Sequence, residues 1–172
     1  MHGYQTREGS LATFAIGLVV MLAGVLTASS LHAQSTHGDK KFALVTVPVD
    51  SGLDAVFFYD DLTRDLTGAV PNVTGGFAVA YKINLGAAFA KSGKPIEDPQ
   101  FLIVGGRASI QTRGSAPRLG AGVLYVTELR TGQLAMFGIP WNRAWVNRAA
   151  GATPVELHRL QLIQIRPDVG GQ

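Results

Sequence analysis

Beyond residue 40, short apolar runs broken by turn residues recur along the chain, and Phe77 to Asn84 alternates apolar and polar positions with a period of two. That is the mark of strands with one face buried. The clearest unit is Val123 to Trp141, VLYVTELRTGQLAMFGIPW. Val123 to Leu129 and Leu134 to Ile139 are two β-favouring runs, with Arg130-Thr131-Gly132 between them. Gly132 tolerates the positive φ that closes a three-residue hairpin loop with a bulge. Pro140 has no N–H for a ladder, so the second strand is expected to end there.

The remaining elements follow the same logic. Lys41 to Val49 predicts a first strand, in which Pro48 favours an edge position or a strand end. Ala55 to Tyr59, AVFFY, is apolar on both faces and predicts a central strand covered on both sides. Asp60 to Asn72 predicts a turn, a short irregular piece and a strand starting near Ala69. Phe77 to Asn84 predicts a half-buried strand with Phe77, Val79, Tyr81 and Ile83 inward. One helical turn or a bend fits Ala87 to Ala90.

Phe101 to Val104 starts another strand, continuing to Ile110 through Gly105-Gly106, which mark a bulge or a close backbone approach. Gln111 to Gly122 reads as a loop. In Trp141 to Ala150, with Gly151 as a candidate C-cap, a helix would put Trp141 and Trp145 on one face. Val155 to Arg166 predicts the last strand, bulged at Ile163. The expected fold is a mostly β, single antiparallel domain of about six to eight strands: a sandwich, a barrel or a partial propeller-like meander.

Ahead of this lies the apolar run Leu11 to Ala28, preceded by Arg7 and followed by Leu31-His32-Ala33. Residues 1–33 read as a signal peptide cut before Gln34, or, if retained, as a membrane anchor through residues 11–28. Residues 34–40 then form a flexible leader, 41–167 the β domain and 168–172 a tail. The expected location is exported: periplasmic, secreted or in the cell envelope.

Composition narrows the chemistry. With no cysteine, there is no disulfide framework, thiolate metal site or thiol nucleophile. At 47% hydrophobic and 16% charged, the chain relies on apolar burial for its stability. Net charge is +3, unevenly placed. Residues 34–98 carry six Lys/Arg and eight Asp/Glu, whereas 99–172 carry eight Arg and three acids. A basic half suits an anionic surface or an acidic partner, against ordinary solvated arginines. Basic residues do not interleave with aromatics, so nucleic acid is not an expected partner.

No nucleophile elbow, phosphate loop or dinucleotide fingerprint occurs, and beyond residue 33 the only histidines are His37 and His158. The expectation is a non-catalytic protein without a cofactor. Asp50, Asp54, Asp60, Asp61 and Asp65 form one acidic cluster, a candidate calcium site because calcium takes several carboxylates on turns. These with Glu128 offer carboxylates for glycoside hydrolysis, but no spacing selects a pair. Arg107, Arg113 and Arg118 surround a Gly-rich loop that suits sulfate, phosphate or a uronic acid, or else is simply solvated. Trp141 and Trp145 suit an aromatic platform for a sugar or a partner chain, or else cover the sheet as core.

Val56 to Leu62 parallels Val123 to Leu129, each an apolar strand ending in an acid and Leu before a turn. The pattern LYVTELRTGQLAMFGIP resembles the inner strands of β-propeller blades. The stretch from Ala55 to Asn142 is similar to short exported bacterial proteins of the planctomycete type, of unassigned function. A closed propeller needs at least about four blades of roughly 40 residues, more than this chain holds. The resemblance therefore implies an open fragment, another sandwich or barrel, or closure by self-association, and it carries over no catalytic residue. The functional expectation is a protein–protein or structural role in the cell envelope. The alternative is a carbohydrate- or anion-binding module, with an anionic polysaccharide as a candidate partner.

Overall fold

The computed structural model describes residues 36–38, 41–90, 93–112, 114, 116–151 and 154–167. The chain is mostly β, in two sheets. The first has six strands in the order β1-β2-β3-β4-β5-β9: β1 (Thr36–Gly38), β2 (Phe42–Asp50), β3 (Leu53–Asp60), β4 (Asp65–Pro71), β5 (Phe77–Asn84) and β9 (Val155–Glu156). The second has four, in the order β10-β8-β7-β6: β6 (Phe101–Arg107), β7 (Leu119–Glu128), β8 (Gln133–Pro140) and β10 (His158–Gln164). All pairings are antiparallel except β5 with β9. The signal or anchor reading of residues 1–33 and the tail 168–172 lie outside the described residues.

The lead hairpin forms as β7–β8, with Gly132 at φ 70 and the second strand ending at Pro140. Its last pair is Glu128 with Gln133, so the loop is residues 129–132. Elsewhere the strands depart from the sequence pattern. Thr36–Gly38, expected in a flexible leader, pairs with β2. Pro48 sits in an internal strand, but β1 reaches only Ala43 to Val45, so Pro48 owes no hydrogen bond to that side. β3 is central yet not covered on both sides: Phe58 is 42% exposed and stacks on Phe42 at 5.5 Å between ring centroids.

β4 starts at Asp65, because residues 61–64 make a tight turn with Arg64 at positive φ. The pairing of β4 with β5 slips between Val70 and Pro71, so Phe77 points outward although strict alternation would bury it. The helical turn is Leu85–Ala88, capped by Asn84. Trp141–Ala150 holds only a short 3-10 turn, Arg143–Asn147. The last strand is split. Buried Leu157 carries the chain from one sheet to the other, and the irregularity in β10 lies between Arg159 and Gln161, not at Ile163.

Phe57, Leu66, Tyr81, Phe89, Ile103, Leu124, Phe137 and Ile139 are fully buried in one core drawn from both sheets. A buried polar tie crosses it, where the Tyr81 hydroxyl donates to the Pro140 carbonyl at 2.7 Å. The sheets meet most closely where β2 crosses β6 and β7, and glycine makes this approach possible. A Cβ on Gly105 would lie 2.5 Å from the Thr46 carbonyl oxygen, and one on Gly120 would lie 2.9 Å from that of Val49. A Cβ on Gly122 would collide with the Pro48 carbonyl. Gly120 and Gly122, expected in a loop, are therefore strand residues of β7.

Candidate functional site

The β6–β7 hairpin and the end of β2 build a cleft of about 330 Å3, lined among others by Asp50, Arg107, Ser109, Arg118, Trp141 and Arg143. Its construction follows from the strands. Arg107 closes β6 opposite Gly122, and the Ala108 N–H donates to the Ala121 carbonyl at 3.0 Å. The chain then leaves the ladder and returns at Leu119, which brings Arg118 back beside Arg107's end of the sheet. The Trp141 N–H donates to the Arg118 carbonyl at 2.9 Å, which fixes the loop's return. Because Gly120 lets Val49 come so near, the next residue of β2, Asp50, reaches the same cleft.

Asp50 organises the floor. One oxygen accepts the Ser51 N–H at 2.8 Å, and the other accepts the Trp141 indole N–H at 3.2 Å. The bonds from Ser51 and Trp141 hold its carboxyl below the usual range against the opposing effect of burial, and Arg143 and Arg118 add to the lowering. Asp50 is thus ionised at neutral pH, within the electrostatic reach of two guanidiniums. Arg118 and Arg143 set two positive charges against the one carboxylate. The partly exposed apolar residues Ile110 and Leu119 line the rest.

Of the residues singled out from sequence, Arg107, Arg118 and Trp141 come together here, joined by Asp50, expected among the calcium candidates. Arg113 lies outside the described residues. Trp141 is only 4% exposed and forms the wall, so it does not offer an open ring face. Trp145 meets it edge-on, with centroids 6.1 Å apart and planes at 87°, and lines a different cavity of about 300 Å3 with Arg148 and Val155. The two rings form a corner, not one flat platform. Arg143 and Asp50 complete the cleft. Arg143's closeness in sequence to Trp141 was the available signal for it, whereas nothing local linked Asp50 to the arginines.

The aspartates do not converge as a calcium site would require. Asp50 and Asp54 lie at one end of the β2–β3 hairpin, and Asp60, Asp61 and Asp65 at the other. Each of the last three has structural work. Asp60 accepts the Leu62 N–H, Asp61 pairs with Arg64 and takes the Tyr59 hydroxyl, and Asp65 pairs with Lys82 at 2.8 Å. Among the described residues, no group of three or more His, Asp or Glu is arranged to hold a metal ion.

Glu128 is fully buried and saturated by donors. It accepts the Gln100 and Arg130 N–H groups at 3.1 Å, and the Thr131 N–H and hydroxyl at 2.6 Å. It holds the hairpin loop and is not available as a partner in acid–base chemistry.

A larger cavity, about 620 Å3, lies beside the sheet crossing and is lined by Asn84, Glu156, His158 and Arg159 among others. It holds no aspartate. Arg159 donates to the Ala88 carbonyl at 2.6 Å, and Asn84 is engaged by Ala87, Thr63 and Asp65. Arg159 and Asn84 are thus committed to the fold, whereas the smaller cleft brings two guanidiniums and a carboxylate together.

The chain matches no protein-family model. No curated protein matches it, and no solved structure does.

Proposed function

We propose that this is an exported, non-catalytic binding module whose arginine cleft holds an anionic group. The observation that carries the reading is that Arg107, Arg118 and Arg143 line one cleft around an ionised Asp50. Arginine's planar fork suits carboxylate, sulfate and phosphate oxygens, and the cleft falls within the usual size range of small-ligand sites. Export rests on the apolar run Leu11 to Ala28. The test is a titration of the full chain with acetate, sulfate, phosphate and galacturonate, followed by amide NMR shifts. At least one anion is expected to give saturable shifts at Arg118, Gly120 and Trp141, lost when Arg118→Gln and Arg143→Gln are combined. If no anion of the four moves these amides, the reading fails.

A second reading, a protein-interaction or self-association role, is favoured by the outer face of the four-stranded sheet. Register places Leu102 and Val104 of β6, Tyr125 of β7, Leu134 and Met136 of β8 and Ile163 of β10 on that face. Leu102, Val104 and Ile163 are exposed, and an apolar patch of this kind is a common interaction surface. Light scattering over a concentration series tests it. A dimer abolished by Val104→Lys with Ile163→Lys is expected; a monomer at every concentration removes self-association.

A further inference from the structure

The cleft carries both signs of charge, and that narrows its ligand. A bare tetrahedral anion seated between Arg118 and Arg143 would also face the Asp50 carboxylate, which repels it. A ligand with an anionic group on one side and hydroxyls on the other satisfies both. Each Asp50 oxygen accepts one hydrogen bond, from the Ser51 N–H or the Trp141 indole, and a carboxylate oxygen has room for a second donor. Ser51 and Ser109 add hydroxyls to the lining. Ile110 and Leu119, both partly exposed, supply the apolar contact that the C–H face of a sugar ring takes.

Resting on the anion-binding reading above, the geometry points to a uronic acid as the ligand class. The ring carboxylate lies on the arginines, and the vicinal hydroxyls donate to Asp50. Trp141 acts as a positioning residue, aiming the Asp50 carboxylate through its indole N–H without stacking on the sugar. Neutral sugars lack the group the arginines need, and sulfate lacks the donors that Asp50 needs.

The experiment measures dissociation constants of the full chain, from amide NMR shifts, for galacturonate, galactose and sulfate. Galacturonate at least tenfold tighter than either of the others is the expected result. Sulfate binding as tightly as galacturonate overturns the uronate assignment and leaves the anion site standing. Galactose binding as tightly overturns it as well, because the carboxylate then contributes nothing. Failure of every anion to bind overturns both readings.

Asp50→Asn sharpens the result. It is expected to weaken galacturonate about fivefold while strengthening sulfate, since it removes a strong hydroxyl acceptor and a repulsive charge together. A parallel loss of both ligands in a variant with an unchanged NMR fold contradicts the proposal. Replacing the monosaccharide by trigalacturonate sorts the source: tighter binding identifies a polymer-borne uronate, and equal binding a free sugar acid or chain end.

Discussion

The indole N–H of Trp141 donates to the Asp50 carboxylate at 3.2 Å across a sequence separation of 91 residues. It joins the end of β2, in one sheet, to the residue that follows β8, in the other. Trp141→Phe keeps most of the ring packing and removes the donor. It is expected to cost about 1.5 kcal/mol in urea unfolding, the low end of the net worth of a hydrogen bond to a charged group. The Asp50 carboxyl is expected to titrate at higher pH in the variant, because one of the bonds holding its pKa down is gone. An NMR carboxyl titration reads this directly; an unmoved Asp50 would show the indole bond to be idle.

Glu128 is a buried carboxylate held by hydrogen bonds alone. Burial works to raise its pKa, but the Thr131 hydroxyl and the N–H groups of Thr131, Arg130 and Gln100 outweigh it, so the carboxyl titrates below its ordinary value of 4.5. A folded-state pKa below the unfolded one adds stability that is present above the ordinary value. That contribution drains away as pH falls through the lowered one. Glu128→Gln turns one acceptor into a donor facing N–H groups, and is expected to cost about 2–3 kcal/mol at neutral pH. The difference between wild type and variant should shrink on acidification below about pH 4. Denaturant midpoints at pH 7 and pH 3 check the sign.

The glycine contact between the sheets makes a steric prediction. Gly105→Ala sets a methyl group against the Thr46 backbone, which has no side-chain freedom to yield, and is expected to cost about 2–3 kcal/mol. Gly151→Ala meets nothing within 4 Å and should change stability by less than about 0.5 kcal/mol. Thermal melts of the two variants side by side separate close packing from a general intolerance of substitution.

Tyr81 is expected to behave as a buried polar tie between the sheets. Tyr81→Phe leaves the ring against Phe57, at 5.8 Å between centroids, and strands the Pro140 carbonyl without its 2.7 Å partner. A loss of about 1–2 kcal/mol follows from a buried acceptor left unpaired. Calorimetry is the check, and an unchanged midpoint would mean that another donor reaches that carbonyl.

Local pattern was a good guide where the determinants are local. The hairpin with Gly132 in its loop, the stop at Pro140 and the alternation around Tyr81 could all be read from neighbouring residues. Pattern failed where one residue slips the register. The irregularity between Val70 and Pro71 turns Phe77 outward, and nothing in FAVAYKIN announces it. It also failed at Gly120 and Gly122, whose composition suggests a loop although they lie in β7. Glycine serves turns and close backbone contact alike, and only the presence of β2 tells them apart.

Read alone, the sequence determined a β domain without thiol chemistry, several of its strands, and the candidacy of Arg107, Arg118 and Trp141. Those properties follow from residue type and from a period that any strand must obey. Tertiary structure decided which sheet each strand joined, sent the chain across at Leu157, and moved Asp50 from an acidic cluster into a cleft with Arg118 and Arg143. Alternation reports which face of a strand is apolar, but not which strand covers it. A cleft made by three distant segments exists only once that partner is chosen.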